Sequence, residues 1–378
     1  MKKINIAIVG MSFGLEFVPI YLDHPLVNTV IAVDKNETLL KAAKDRYGER
    51  IQLAGDFDSV IRRSDIDAIH LVTPPASHAP LSVRVLKADK HCACTIPMGM
   101  TLEEITDVLK VRKSSGKHYM FMETTAYERE FLYIQDLYET GVMGRLQYMS
   151  CAHYQDMEGW PSYWDGFPPL MHPTHALAPC LLLAKKYPEK VYGRGSGRIR
   201  NELAKQYGCR FSWESAFLSL EESDITIEME RFLYGTARSY SECFRIYGEN
   251  MSYEWQQLLN EDPVLYKRTG IIQGRGGEIT EERIKIPDYA QRLPEEIAKF
   301  TVSTVYNNEH THLSFKQGGG HGGSHPHLVH EFISSIVEDR NPMPSDIDGA
   351  YWTASGICAH ESAMAGGKVV EIPRFKEM

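Results

Sequence analysis

The chain has 378 residues, 43% hydrophobic and 24% charged, with 41 Lys plus Arg against 50 Asp plus Glu and a formal net charge of −9. This is the composition of a soluble globular protein long enough for two domains, and the acidic excess without a basic stripe excludes a typical nucleic-acid binder. No segment approaches the ~18 apolar residues of a membrane span, and seven scattered cysteines without metal spacing read as reduced thiols in a cytoplasmic protein.

The opening "MKKINIAIVG" has two lysines and a short apolar run that stops at Gly10, with no small-residue cleavage site. It reads as a buried strand rather than a signal peptide. From there to about residue 125, short apolar strands alternate with amphipathic helices. "INIAIVG" precedes "LEFVPIYLDH", "TVIAVD" precedes "NETLLKAAKDRYG", and "DAIHLVT" precedes "LSVRVLKAD". "HCACTIP" precedes "TLEEITDVLKVRKSSG", and "HYMFMET" is a fifth strand. Alternation at this spacing predicts a doubly wound parallel sheet of the Rossmann type over residues 1–125.

The pattern changes over residues 126–378. "YEREFLYIQDLYETG" reads as a helix, "GRLQYMSCAHYQDM" as a strand and "ALAPCLLLAKKY" as a helix. Most of residues 190–315 then read as strands, in "KVYGRGSGRI", "AFLSLEESDITIEMERF", "TARSYSECFRIYG", "MSYEWQQL" and "EITEERIKI". Their alternation predicts an α+β domain built on a mostly antiparallel open sheet, one face of which is solvated or covered by a partner. "KQGGGHGGSHP" is a glycine-rich turn feeding the helix "HLVHEFISSIVED", and the chain closes on a helix near "DGAYWTASGICAHESAMAGG" and a strand "KVVEIPRF". Tyr351 and Trp352 belong to the core. Pairing of the open sheet predicts a homodimer or homotetramer.

The first strand ends in Gly10-Met11-Ser12-Phe13-Gly14. A dinucleotide site needs glycine where the turn is tight and where backbone approaches the pyrophosphate, and the following helix offers amide donors. Strand before, helix after and Asp34 at the end of strand two, about twenty residues on, complete the pattern. A carboxylate there accepts from an adenosine ribose and repels a 2'-phosphate, so NAD is the expected cofactor.

With "LVTPPASHAPLSVRVLKADKHCACTIPMGMTLEE" the chain resembles the Gfo/Idh/MocA oxidoreductase family, a likeness that runs nearly its whole length and includes the closing "EIPRF". The resemblance implies that the turn Thr73-Pro74-Pro75, with His78, lies against the cofactor. In that family the next turn normally reads Glu-Lys-Pro, whose lysine assists proton transfer at the substrate carbinol. Here it is Thr95-Ile96-Pro97, which can shape a nicotinamide pocket around Pro97 but holds no base. The NAD-dependent glycoside hydrolase branch of the family shares that loss. Its Tyr-Pro-Thr-His-x-Leu-Gly-Pro segment resembles "HPTHALAP" at His172 to Pro179, its Gly-Gly-His-Gly-Gly turn matches Gly319 to Gly323, and its acidic residue after strand five matches Glu123. His172 stands where that branch has tyrosine, and His153 replaces another.

The resemblance implies a sugar substrate and net hydrolysis of glycosides: oxidation at C3, loss of the acidified C2 proton, elimination of the glycosidic group, water addition and re-reduction. That route needs several proton-transfer groups rather than the paired carboxylates of ordinary glycosidases. His175 is the first candidate, as acceptor of the carbinol proton or its orienting donor, with Glu123, His172 and His153 as C2 base or leaving-group acid, since imidazole titrates near neutral pH. Asp156 and His321 are candidate substrate contacts. Trp164, in "EGWPSYWDGFPP", is a candidate to stack on the cofactor; stacking on a sugar ring and packing under a loop are the alternatives. His172-x-x-His175 with His153, Asp156 or His321 also offers donors to a divalent ion, but spacing alone is a poor warrant and no metal is expected. Net dehydrogenation of a sugar or inositol, and a non-catalytic dinucleotide-binding regulator, stand as the rival functions.

Overall fold

A computed structural model describes residues 3–258, 261–305 and 316–377. In chain order its first part comprises β1 (Ile4–Val9), α1 (Met11–Gly14), α2 (Val18–Asp23), β2 (Val27–Val33), α3 (Glu37–Tyr47), β3 (Gln52–Ala54), α4 (Phe57–Ile61), β4 (Ala68–Leu71), α5 (His78–Lys87), β5 (His91–Cys94), α6 (Leu102–Ser115) and β6 (Tyr119–Phe121). The middle comprises α7 (Arg129–Glu139), β7 (Leu146–Tyr154), α8 (Thr174–Ala184), β8 (Pro188–Ser196), α9 (Asn201–Tyr207), β9 (Trp213–Leu220), β10 (Thr226–Phe232), β11 (Ser241–Gly248), β12 (Met251–Glu254), β13 (Val264–Ile272) and β14 (Gly276–Arg283). The last part holds α10 (Glu295–Ala298), β15 (Thr304–Val305), β16 (Lys316–Gln317), α11 (His325–Glu338), α12 (Asp346–Met364) and β17 (Val370–Glu371).

Two compact units emerge: residues 1–129, 288–350 and 375–378 form one, and residues 130–287 and 351–374 the other. The first holds a six-stranded parallel sheet of order β3-β2-β1-β4-β5-β6. Strands of such a sheet are covered on both faces and are therefore apolar throughout. Ile6, Ile8, Val30 and Ala32 are buried accordingly. The helices are capped by local chemistry: the Thr101 side chain accepts from the Glu104 amide and Asn36 from the Thr38 amide, each satisfying a donor that the first helical turn leaves open.

The sequence pattern places residues 126–378 in the second domain. In the structure residues 288–350 return to the first unit, because Ile297, Phe300, Leu328, Phe332 and Ile333 close over the same core as Ile6, Phe17 and Ile20. Residues 288–303, at the end of the stretch read as strands, are short helical turns, and residues 306–315 of that stretch lie outside the described residues.

The second unit is built on a nine-stranded sheet of order β14-β13-β12-β11-β7-β10-β9-β8-β17. Only β7 and β10 run parallel; the other neighbours are antiparallel. The β13 strand and helix α9 were not anticipated from sequence, nor was the three-residue β3 of the first sheet. Helix α8 is buried along almost its whole length, which explains its apolar sequence from Ala176 onward. Tyr351 and Trp352 are buried as expected.

Candidate active site

The nucleotide loop lies wholly in the first unit. Gly10 has φ +98°, and a Cβ there would lie 2.1 Å from the Val72 carbonyl oxygen, so only glycine fits where β1 turns into α1 against β4. The Asp34 carboxylate is set by two backbone amides, accepting from Met11 N at 2.7 Å and from Asn36 N at 2.8 Å. Ser12 and Phe13 are exposed and Gly14 is buried. A bare backbone at Gly10 and an anchored carboxylate at the end of β2 are what an adenine dinucleotide requires of its site.

The two following turns are tied together by His78, the first residue of α5. Its Nδ1 lies 2.8 Å from the Pro97 carbonyl oxygen and its Nε2 2.6 Å from that of Thr73. Burial holds its pKa below the ordinary imidazole value, although both carbonyl contacts oppose that shift. His78 is thus a pin between the turns at Thr73-Pro74 and Ile96-Pro97, its neutral ring donating to one of the two carbonyls while Thr95 Oγ1 also lies 3.3 Å from Nε2. Pro74 is exposed and Pro97 buried.

Glu123 follows β6 and is fully buried. Its Oε1 accepts from the amide and the hydroxyl of Thr125, both at 3.1 Å, so this carboxylate caps the turn that leads to α7. In the same unit the glycine-rich turn is gripped by Arg129, which donates to the carbonyls of Gly322 and Thr301. His321 has φ +43°, its Nδ1 lies 3.1 Å from His325 Nε2, and its ring meets Phe13 edge-on at 5.7 Å. The sequence separates Phe13 and His321 by three hundred residues; α11 brings the second to the nucleotide loop.

The second unit gathers the other histidines. His153 on β7 and His175 on α8 meet edge-on with ring centroids 5.0 Å apart, and His172 lies 5.6 Å from His175. Between them stands a carboxylate that the sequence did not single out. Glu242 on β11 is directly opposite His153 in the antiparallel register, with its Oε1 3.6 Å from His175 Nε2 and 4.0 Å from His153 Nε2. Tyr240 donates its hydroxyl to the same oxygen. His153 and Glu242 are 1% and 5% exposed, so charge that develops on either imidazole is held in a poorly solvated place beside its counter-charge. Glu242 sits in "SYSECFRIYG" like any strand residue, and only the pairing of β11 with β7 shows its role as a neighbour of histidines.

Trp164 packs on His172, centroids 5.2 Å apart, and on Phe167 at 5.3 Å. It is half-buried, as a wall for the histidine group. Asp156 is exposed and accepts from the Glu158 amide at 3.0 Å in a local turn. The structure therefore gathers His153, His172, His175 and Trp164 in one unit, and places the nucleotide loop, Glu123 and His321 in the other.

Residues 4–123 match the model of an oxidoreductase family with an NAD-binding Rossmann fold, Gfo/Idh/MocA. Proteins named glycosyl hydrolase family 109 are similar over nearly the whole chain. One from Stenotrophomonas maltophilia is 22% identical over 99% of this chain and 89% of its own, and one from Saccharopolyspora erythraea is 22% identical over 99% and 83%. Among solved structures, a levoglucosan dehydrogenase in complex with NADH and levoglucosan has a TM-score of 0.76 at 19% identity, covering 99% of this chain and all of that one. A scyllo-inositol dehydrogenase from Lactobacillus casei has a TM-score of 0.69 at 18% identity, covering 98% of each chain. Its glycine turn, its anchored Asp34 and this match make residues 4–123 similar to the NAD-binding Rossmann domain of the Gfo/Idh/MocA oxidoreductases.

Proposed function

We propose that the protein is an NAD-dependent enzyme acting on a carbohydrate, and that it hydrolyses glycosides through transient oxidation at C3. The observation that carries this reading is the group of His153, His175 and Glu242, with Tyr240 on the same carboxylate. Bound NAD supplies a hydride acceptor for the sugar carbinol and a donor for the return step.

The chain's own residues move the protons. His175 accepts the carbinol proton, and Glu242 stabilises the imidazolium that results, because a carboxylate at 3.6 Å in a buried place favours the charged ring. With a ketone at C3 the adjacent C2 proton is acidic enough for a second imidazole, His153 or His172, to remove it. The same proton then serves the departing oxygen. Water adds to the unsaturated sugar and the ketone is reduced again, so glycoside plus water gives sugar plus alcohol with no net redox change.

Glu123 is less suited to this work than its position in the sequence implied, since one of its oxygens caps a turn. Asp156 and His321 remain candidate sugar contacts, and Trp164 a candidate stacking surface. Names of relatives support the hydrolytic reading, and the solved relatives named as sugar or inositol dehydrogenases support the rival of net oxidation. The open face of the nine-stranded sheet, where Tyr192 and Phe217 stack while 41% exposed each, supports self-association into a homodimer or homotetramer.

The test is aglycone release from a panel of aryl glycosides in deuterated water without added NAD, followed by NMR of the sugar. Sustained release with deuterium at C2 is the expected result. Release that waits for added NAD, with keto-sugar and NADH accumulating together, would make the protein a net dehydrogenase.

A further inference from the structure

A second group of potential ligands lies in the sheet unit, apart from the histidine group. Glu214 on β9 is fully buried. Its Oε1 lies 2.8 Å from His360 Nδ1 on α12 and 3.8 Å from the Cys209 sulfur, in the loop that follows α9. The three donor atoms all fall within 4.8 Å of one another. Glu214's other oxygen accepts from the Leu170 amide at 3.0 Å, which leaves the carboxylate oriented by the backbone, as carboxylates around metal ions commonly are.

We propose that Cys209, Glu214 and His360 hold a divalent, thiophilic transition-metal ion, of which zinc is the natural example. One thiolate, one imidazole and one carboxylate form a mixed set that suits zinc and is poor for calcium or magnesium. Metal–ligand bonds of about 2.0–2.3 Å hold tetrahedral ligand atoms roughly 3.3–3.7 Å apart, so binding opens the 2.8 Å His360–Glu214 contact and draws the Cys209 sulfur, now 3.8 Å from Glu214, slightly inward. Binding releases the Cys209 thiol proton to solvent. The His360 side chain is 14% exposed, so the group is not sealed from solvent.

The consequence of such an ion is structural. Leu170, tied to Glu214, precedes His172 by two residues. Helix α12, which supplies His360, presses on the same segment: a Cβ at Gly356 would lie 2.2 Å from the Leu170 carbonyl oxygen and 2.5 Å from Pro173. A metal here would therefore stiffen the chain that leads to His172 and His175. The inference does not depend on which reaction those histidines perform.

The full-length protein, stripped with chelator and titrated with Co²⁺, tests it. One equivalent should bind with a thiolate-to-cobalt charge-transfer band. Cys209→Ser should abolish the band, and His360→Gln should weaken binding by roughly tenfold or more. His175→Ala should leave both unchanged, since its ring is elsewhere in the unit. No thiolate band in the wild type, or an unchanged band in Cys209→Ser, overturns the proposal. Should the serine variant not fold, the partly exposed His360→Gln carries the test, and unchanged affinity there overturns it as well.

Discussion

His175 at the start of α8 and Glu242 near the start of β11 approach to 3.6 Å, Nε2 to Oε1, from positions sixty-seven residues apart in sequence. The carboxylate is buried, also faces His153 and accepts from Tyr240, so one charge serves two imidazoles. Removing the ring and removing the charge are therefore separable experiments. His175→Ala is expected to lower kcat by about 10²–10⁴-fold, the usual weight of a general base. Glu242→Gln keeps the shape and should lower kcat at least tenfold by withdrawing the counter-charge. Steady-state kinetics on the active glycoside check both, with bound dinucleotide and circular dichroism unchanged.

Asp34 does two jobs, and its replacement should show both. Asp34→Ser removes the negative charge that opposes a 2'-phosphate, so the ratio of NADP to NAD affinity should rise. It also deprives the Met11 and Asn36 amides of their acceptor, at a cost on the order of 1 kcal/mol in stability. Isothermal titration with each dinucleotide and a denaturant curve measure the two effects. Unchanged discrimination would remove Asp34 from the cofactor site.

Gly10→Ala should be the most damaging single change in the nucleotide loop. The added carbon meets the Val72 carbonyl oxygen, and the backbone stands at φ +98°, where alanine is strained whatever the space. Loss of NAD binding with a lower melting temperature is the expected outcome, measured by dinucleotide fluorescence and a thermal scan.

Acid should unfold the first unit through its histidines. Burial lowers His24 and His70 to about 3 and His327 to about 4, and also lowers His78 and His325. In the unfolded chain these rings take a proton near pH 6.5. A base whose folded pKa is depressed binds more protons unfolded than folded between those values. Stability is thus complete above about pH 6.5 and falls as pH drops toward 3. Denaturant titrations at intervals of pH should show that slope, and His70→Phe should make it shallower.

Arg231 offers a test of the sheet's buried row. It lies opposite Glu214 on one side and beside His153 on the other, and is fully buried. Arg231→Ala should destabilise the unit, because truncating a fully buried side chain leaves a void in the sheet's packed face. Chemical denaturation measures the loss.

The legibility of this protein divides along the range of its interactions. The doubly wound sheet was readable because each strand–turn–helix unit is specified locally: apolar runs, capping residues such as Thr101, and a glycine where backbone must pass close. Gly10, Asp34 and the histidine segment stood out as candidates for the same reason. β13 was missed because its exposed half has the mixed composition of a surface loop, and the return of residues 288–350 to the first unit was missed because nothing local in α11 says which core Leu328 and Phe332 will join.

By itself the sequence determined most elements of the first sheet, the glycine turn with Asp34, the lack of a lysine at Thr95-Ile96-Pro97 and which histidines are candidates for proton transfer. Tertiary structure alone decided who stands beside them. Strand register put Glu242 opposite His153, the packing of α8 brought His175 to the same carboxylate, and α12 carried His360 to Glu214 and Cys209. Pairing in a sheet and the choice of a helix's neighbour depend on contacts summed over the whole unit, and no window of sequence contains that sum.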